Sequence, residues 1–182
     1  MIRVLELKDY ESAKKLVYQV HQLHLKNRPD IYIDGNPLPI EYFEKIINDK
    51  DSLNYVYEDN GEIVGIITAS KQTSRPLQIL NSRIVYFIDD IVVDSNHRKK
   101  GIGRKLFNYL LDQAKHDNVD AIELNVWSFN ESAIKFYESL GMTVKNMKME
   151  YIFNKDIDIK KSELRVNSKI NVTTFFKKLL TK

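Results

Sequence analysis

The segment 98–105 concentrates five positive charges around two glycines and reads RKKGIGRK. Because glycine lacks a Cβ, the backbone N–H groups of such a segment can approach a ligand closely. An amphipathic helix pattern follows, and the N-terminus of a helix adds partial positive charge to the full charges of the Lys and Arg side chains. These residue types at this spacing favour the binding of a pyrophosphate or a phosphate monoester.

Two other phosphate-binding fingerprints do not fit this segment. A dinucleotide-binding turn requires a third glycine at position 106, where the chain has Leu106. A P-loop requires Gly-x-x-x-x-Gly-Lys-Ser/Thr, which is absent. The segment therefore belongs to another kind of anion site.

The elements around this segment can be predicted from the spacing of apolar residues. Residues 84–93 are β-prone and mostly apolar, which predicts a central strand that is covered on both faces. The next helix is predicted from apolar residues at helical spacing, namely Ile102, Leu106, Leu110 and Ala114. The segment therefore joins a buried strand to an amphipathic helix.

The rest of the chain predicts strands and helices in alternation. Residues 2–7 predict a first strand, and Asp9 is a suitable N-cap for a helix whose inward face includes Leu23. The turn at 59–61, which reads DNG, predicts a hairpin. Gly141 ends a helix over 131–140, and alternation over 147–153 predicts a last strand. This order predicts a mixed sheet with helices packed on it, an α/β (α+β) architecture.

Composition limits the possible classes of protein. With 182 residues, of which 43% are hydrophobic and 29% charged, one well-packed domain is expected. The absence of cysteine excludes disulfides, thiolate metal sites and cysteine nucleophiles. The longest apolar run, 84–88, is far shorter than the ~20 residues that span a bilayer. We expect a cytoplasmic protein without a membrane partner.

The net charge of +3 is unevenly distributed. Residues 154–182 hold 8 basic and 3 acidic side chains, whereas residues 1–153 hold 20 basic and 22 acidic ones. A nucleic-acid-binding surface would need basic residues spread over one face, so no nucleic-acid partner is expected. We predict a domain over 1–153 and a basic extension over 154–182. Residues 171–181 of this extension predict a short amphipathic helix that docks on its own domain or on the second subunit of a homodimer.

Two sets of residues resemble the signatures of the GNAT superfamily of N-acetyltransferases. The first signature of this family reads Arg/Gln-x-x-Gly-x-Gly/Ala, and it is matched by Arg98, Gly101 and Gly103 after a strand over 89–94 that resembles the strand of the family. The second signature is matched by Asn130, Ala133, Tyr137, Gly141 and Met142, the last of which replaces a Phe. The resemblance covers residues 1–153 and implies the GNAT fold, a mixed and mostly antiparallel sheet of six to seven strands with about four helices.

The resemblance implies that acetyl-CoA is the acetyl donor and that no metal is needed. The implied cofactor-binding residues are the backbone of the strand, the basic segment and the start of the second signature, namely Ile91, Val92, Val93, Arg98, Lys99, Lys100, Gly101, Ile102, Gly103, Arg104, Asn130 and Ala133. Tyr137 matches the general acid of the family, which protonates the leaving thiolate. A phenol suits this role because it keeps its proton at neutral pH.

Several groups of the chain could act as the base that takes the proton of the amine. Asp89 matches a strand carboxylate of polyamine-type members, and period-2 alternation predicts that it shares a face with Ile91 and Val93. Asp90, predicted on the opposite face, and Glu123 are alternatives, as is a chain of waters. Glu123 and three residues of the first helix and the following loop, His24, Arg28 and Tyr32, are candidate contacts for the acceptor.

The sequence therefore predicts direct acetyl transfer to a primary amine, either on a polyamine-like small molecule or on a protein. A cationic acceptor is favoured because residues 1–97 and 106–153 carry 15 basic and 22 acidic side chains. The alternative is an acyl-CoA-binding regulatory protein without catalytic activity. Such a protein would keep the basic segment but would not need Tyr137.

Overall fold

Residues 1–74 and 78–153 are described in the computed structural model of the chain. The strands are β1 (Ile2–Val4), β2 (Ser52–Asp59), β3 (Glu62–Thr73), β4 (Ile84–Val93) and β5 (Ala121–Leu124). The helices are α1 (Tyr10–Asn27), α2 (Ile40–Asn48), α3 (Ile102–His116) and α4 (Glu131–Ser139). Short 3-10 helices occur at Leu7–Asp9 and Ser95–His97. The chain divides into two compact units, Met1–Asn125 and Val126–Lys182, of which the first contains the sheet and α1 to α3.

The five strands form one sheet in the order β1-β2-β3-β4-β5. All neighbours are antiparallel except β4 and β5, which are parallel and joined through α3. This confirms the mixed, mostly antiparallel sheet and the four helices, although the strand count within residues 1–74 and 78–153 is five rather than six to seven.

The strand predicted over 147–153 is wrong. Its alternating apolar side chains are exposed, with Met149 at 89% and Phe153 at 85% of their full accessibility. No secondary structure is assigned over 142–153. Alternation stabilises a strand only when one face is buried and an edge is paired, and these residues have no buried face.

The hairpin between β2 and β3 is confirmed. Its two-residue turn places Asn60 at φ 50° and Gly61 at φ 82°. Positive φ at both central residues is the type I′ geometry whose twist matches that of the flanking strands. After this turn β3 continues to Thr73.

Helices cover both faces of the sheet in the first unit. On one face, α1 and α2 contribute Ala13, Leu16 and Phe43 to a core that includes Ile66 of β3 and Val92 of β4. On the other face, a Cβ built at Gly65 of β3 would lie 3.1 Å from side-chain atoms of both Ile102 and Leu106 of α3. The absence of a side chain at Gly65 therefore lets α3 pack closely against β3. Both α1 and α3 also contact β4, as predicted for a strand over 84–93 that is covered on both faces.

The start of α1 differs from the prediction. Asp9 occupies the N-cap position, but its side chain makes no capping hydrogen bond. Its carboxylate instead accepts hydrogen bonds from Arg3 at 2.7 and 2.9 Å and from the Glu6 amide at 2.9 Å. Although burial acts in the other direction, the bond from Arg3 holds the pKa of Asp9 below its usual range. The pair ties β1 to the turn that precedes α1.

Leu23, predicted on the inward face of α1, is exposed. The fully buried residues of α1 end at Leu16, and beyond it only Val17 and Val20 pack, partly buried, against the core. The extension at 154–182, with the amphipathic helix predicted over 171–181, lies outside the described residues.

Candidate active site

A β-bulge interrupts β4 at Asp89. Across the β3–β4 ladder Thr68 pairs with Asp90 and Ala69 pairs with Ile88, which leaves Asp89 as the extra residue. A bulge places two consecutive residues of one strand opposite one residue of its neighbour and bends the strand locally. Bulges of this kind often reorient side chains at a functional site.

The bulge brings both aspartates into one cleft. Asp89 and Asp90 line it together with Tyr42 and Phe43 of α2 and Thr68 of β3. We call this site the aspartate cleft. The prediction that Asp90 points away from Asp89 is therefore wrong, because strict alternation does not hold through a bulge.

The face assigned to Asp89 also changes. Ile91 pairs with Ile67, and alternation from Gly65 places Ile67 on the face of α3. Asp89 instead lines the aspartate cleft on the face of α1 and α2. It does not share the face of Ile91 and Val93.

Negative charge accumulates in the aspartate cleft. Within the described ranges, neither carboxylate makes a hydrogen bond or an ion pair with another residue. Burial raises the pKa of Asp89 above its usual range. Burial and the neighbouring charge of Asp89 raise the pKa of Asp90 to about 6. At neutral pH the cleft can therefore hold a cationic group and accept a proton from it.

Tyr42 adds a hydroxyl group to the aspartate cleft. Burial and the charges of Asp89 and Asp90 raise the pKa of its phenol. Tyr42 therefore stays protonated and can donate a hydrogen bond inside the cleft. Sequence reasoning did not single out Tyr42, because nothing in the local sequence relates α2 to β4.

The predicted anion-binding segment begins one turn after β4 ends. We call residues 98–104 the basic loop. Arg98, Lys99, Lys100 and Arg104 are exposed, whereas Ile102 is buried at the start of α3. Lys99 and Gly101 have φ values of 62° and 78°. The basic loop therefore presents its cations and its turned backbone on the surface, while Ile102 anchors it to the core.

The backbone amides of the basic loop fit a bound phosphate. The Lys105 amide donates to the Gly101 carbonyl at 3.0 Å as α3 begins. The amides of the preceding residues in the first turn have no partner within the helix. They are available to an anion at the positive end of the helix dipole.

One edge of β4 is also open beyond the bulge. β4 pairs with β5 only from Val85 to Ile88. Ile91, Val92 and Val93 pair with β3 on one side, and within the described residues no strand pairs with their other side. Their backbone can accept an extended ligand that makes strand-like hydrogen bonds, as predicted for the pantetheine arm of acetyl-CoA.

The turn between β4 and the basic loop is held by Gln19 of α1. Gln19 Nε2 donates to Asp94 Oδ2 at 2.9 Å, and the Ser95 amide donates to Gln19 Oε1 at 3.1 Å. Asp94 also accepts from the Asn96 amide at 2.9 Å. Gln19 carries no sequence signal, because its partners are 75 and 76 positions away.

The second unit contains the other predicted signature. The Asn130 carboxamide oxygen caps α4 by accepting from the Ala133 amide at 3.2 Å and from the Ser132 hydroxyl at 3.0 Å. The helix ends in a Schellman motif, because the Met142 amide donates to the Tyr137 carbonyl at 3.1 Å and Gly141 has φ 91°. The predicted C′ position of Gly141 is confirmed.

Tyr137 lies in the last turn of α4. Its ring is half-buried and contacts that of Phe136, with centroids 5.3 Å apart. The roles predicted for Tyr137, Asn130 and Ala133 remain predictions.

The acceptor candidates differ in their surroundings. Arg28 is buried, with 6% of its surface exposed, and its guanidinium lies 2.6 Å from the Asp30 carboxylate. The rings of His24 and Tyr32 have centroids 5.0 Å apart. Glu123 of β5 forms an ion pair with Arg83 at 3.3 Å. Arg28 and Glu123 are thus at least partly neutralised, and the roles predicted for these four residues remain predictions.

The described residues form neither a metal-binding cluster nor a membrane-spanning helix. No group of three or more His, Asp or Glu side chains in 1–74 and 78–153 is arranged to hold a metal ion. No helix in this part of the chain combines the length and the hydrophobicity needed to cross a membrane.

Proteins of known sequence or structure are similar to this chain over most or part of the region described above. The crystal structure of a mutant of the BH1408 protein from Bacillus halodurans matches with a TM-score of 0.83 and 33% identity, over 85% of this chain and 99% of that one. N-alpha-acetyltransferase 30 of Dictyostelium discoideum is 28% identical over 66% of this chain and 62% of its own length. The [Ribosomal protein bS18]-alanine N-acetyltransferase of Escherichia coli K12 is 34% identical over 34% of this chain and 42% of its own. The chain spans about half the length of the curated relatives that it matches.

The family model described as "Acetyltransferase (GNAT) family" matches residues 17–142. The match begins within α1 and includes the aspartate cleft, the basic loop and α4 up to the Schellman motif. The fold, the open edge of β4 and the basic loop agree with this match, and the chain belongs to the GNAT acetyltransferase family.

Proposed function

We propose that the chain is an acetyl-CoA-dependent N-acetyltransferase that transfers the acetyl group directly to a primary amine. The observation that carries this proposal is the arrangement along β4. Its bulge supplies two carboxylates without partners among the described residues, its open edge follows directly, and the basic loop comes one turn later. A cationic amine and a polyanionic donor can thus be bound by neighbouring parts of one strand.

Acetyl-CoA would supply the acetyl thioester. The side chains of Arg98, Lys99, Lys100 and Arg104 and the first amides of α3 bind its pyrophosphate. The backbone of Ile91 to Val93 binds the pantetheine arm, and one of these amides donates to the acetyl carbonyl oxygen, where negative charge develops. The resemblance supports a further contact from Asn130, whose carboxamide oxygen caps α4.

The aspartate cleft binds the ammonium form of the acceptor and removes its proton. Asp89 is the more exposed of the two carboxylates and takes the proton, directly or through a water. Asp90 adds a second negative charge once it is ionised, which is the case above about pH 6. The free amine then forms a C–N bond to the acetyl carbon, and the C–S bond breaks.

Tyr137 donates its phenolic proton to the departing thiolate. As the amide forms, the nitrogen loses its second proton, and a proton from solvent restores the Tyr137 phenol. The products are the acetylated amine and the free thiol of CoA, and the proton held by Asp89 is returned to solvent. The support for Tyr137 is its position in the second signature of the family.

The relatives support a protein amine as the acceptor. One of them is named an N-alpha-acetyltransferase and another an N-acetyltransferase for an alanine of a ribosomal protein, although the chain covers only part of each. Acidic residues are in excess outside the basic loop and the extension, which supports a cationic acceptor, whether a protein amine or a polyamine. Polyamines are therefore included in the assay below.

A thiol-release assay with acetyl-CoA tests this proposal. The panel contains polyamines, amino acids, and peptides with a free or a blocked N-terminus, each measured from pH 5 to pH 9. We expect release with one class of amine and none with a blocked peptide that lacks lysine. Tight binding of acetyl-CoA without release for any amine would instead favour the regulatory protein.

Variants of the aspartate cleft distinguish the roles of its two carboxylates. Asp89→Asn should lower kcat by at least tenfold, whereas Asp90→Asn should mainly raise the KM of the amine. Asp112→Asn, an exposed change on α3, serves as the control. Normal kinetics of Asp89→Asn at all pH values would remove Asp89 from the mechanism.

A further inference from the structure

We propose that Gln19 is a positioning residue that holds the turn 94–97, and through it the basic loop, in the arrangement that binds acetyl-CoA. This inference rests on the proposed function, since it concerns the site of the acetyl donor. It assigns a role in donor binding to the middle of α1, a helix that contributes no residue to the basic loop or to the open edge of β4.

The contact between Gln19 and the turn is bidentate. The carboxamide of Gln19 donates to Asp94 Oδ2 at 2.9 Å and accepts from the Ser95 amide at 3.1 Å. The NH2 group and the carbonyl oxygen of one carboxamide thus bind two consecutive residues. Such an arrangement fixes the orientation of the turn as well as its distance from α1.

Asp94 is the residue that organises the turn. Its other carboxylate oxygen accepts from the Asn96 amide at 2.9 Å, and its own amide donates to the Val64 carbonyl of β3 at 2.9 Å. The Asp94 side chain is 13% exposed, and the hydrogen bond that it accepts from Gln19 is partly buried. The bond from Gln19, followed by that from the Asn96 amide, holds the pKa of Asp94 below its usual range. Asp94 therefore remains ionised, and its bond to Gln19 is charge-assisted.

The basic loop depends on this turn because its first residues, 98–101, connect the turn to the start of α3. α3 is anchored by Ile102 against Gly65, and the turn is anchored by Gln19 and by β3. Between these anchors, Lys99 is held at φ 62°, a left-handed conformation that residues other than glycine seldom adopt. Release of the turn from α1 would let Lys99 relax and would misalign the amides that bind the pyrophosphate.

α1 also contacts the loop that follows it, which carries the candidate acceptor residue Tyr32. A ring nitrogen of His21, two residues after Gln19, lies 3.0 Å from the Ile33 carbonyl oxygen. α1 therefore contacts both the turn 94–97, through Gln19, and the segment that carries Tyr32, through His21. The hydrogen bonds of Gln19 thus position the turn 94–97 relative to that segment.

The variant Gln19→Leu removes both hydrogen bonds with little change in volume. We expect calorimetric titration with CoA to show about tenfold weaker binding. If the turn adopts its binding-competent conformation in about a tenth of the molecules, the apparent affinity falls by the same factor. In the transfer reaction, the KM of acetyl-CoA should rise by a similar factor while kcat at saturation stays within about twofold. Gln22→Leu is the matched control, because Gln22 lies one turn later on α1 and contacts Asp34 instead.

A double exchange tests whether the hydrogen bonds themselves are responsible. Gln19→Glu alone places two carboxylates together and should weaken CoA binding at least as much as Gln19→Leu. When it is combined with Asp94→Asn, the new carboxamide at position 94 can donate to the new carboxylate at position 19. The same carboxylate can still accept the hydrogen bond from the Ser95 amide. The double variant should regain most of the affinity for CoA.

Hydrogen exchange without ligand provides a readout that is independent of activity. Amides of 94–104 should exchange faster in Gln19→Leu than in the unchanged protein, whereas the amides of β2 should not. Equal CoA affinity in Gln19→Leu and the unchanged protein would overturn the role of Gln19 and leave the proposed function intact. Failure of the unchanged protein to bind CoA would overturn both.

Discussion

The raised pKa of Asp90 makes a prediction about stability that is separate from catalysis. Replacement by Asn removes a charge that burial and Asp89 disfavour, at nearly constant volume. A carboxyl group whose pKa is higher in the folded than in the unfolded chain destabilises the fold as pH rises. We therefore expect Asp90→Asn to be more stable than the unchanged protein at pH 8.

The size of the effect follows from the pKa shift. A rise from 3.8 to about 6 corresponds to about 3 kcal/mol when Asp90 is fully ionised. At pH 4 the same shift corresponds to only about 0.6 kcal/mol, because Asp90 is protonated in the folded protein. Asp90 is partly exposed and the amide of Asn needs hydrogen bonds of its own, so we expect a gain of about 1 to 3 kcal/mol at pH 8.

Urea unfolding at pH 4, 6 and 8 measures this gain directly. The stability difference between Asp90→Asn and the unchanged protein should grow with pH and level off above pH 7. Asp112→Asn should differ from the unchanged protein by less than about 0.5 kcal/mol at each pH. A difference for Asp90→Asn that is independent of pH, or that has the opposite sign at pH 8, would refute the assignment of a raised pKa to Asp90.

Three further predictions concern the turnover, the basic loop and the fold. Tyr137→Phe should lower kcat by at least tenfold at unchanged CoA affinity, as measured by thiol release and calorimetry, and unchanged turnover would contradict its role as the acid. Gly101→Ala adds no steric contact, but it places a side chain on a residue at φ 78°, which costs about 1–2 kcal/mol. The affinity for CoA should therefore fall about tenfold, whereas the control variant Gly35→Ala should bind CoA normally. Asp9→Asn should destabilise the fold by about 2–3 kcal/mol at pH 7 by breaking the pair with Arg3. Because the pKa of Asp9 is lowered, that difference should shrink as pH falls below about 4, and urea unfolding that shows no such convergence would contradict it.

The parts of the fold that follow from local chemistry could be predicted. The hairpin at Asn60 and Gly61 and the helix end at Gly141 depend on positive φ, which few residue types tolerate, so the residue type alone reveals them. The basic loop was likewise predictable, because two glycines among cations are unusual in a folded segment.

The parts that depend on pairing between distant strands could not be predicted. A bulge at Asp89 changes no residue type, yet it moves a carboxylate from one face of the sheet to the other. Alternation over 147–153 predicted a strand, but alternation does not reveal whether a partner edge exists. The bonds of Gln19 link positions 75 and 76 residues apart, and no local pattern carries that information.

The most direct test of the account is mass spectrometry of an amine acceptor after incubation with acetyl-CoA and the protein. The account predicts that one class of primary amine gains a single acetyl group and that Asp89→Asn forms this product at least tenfold more slowly. A protein that binds acetyl-CoA but acetylates no amine at any pH from 5 to 9 would contradict it.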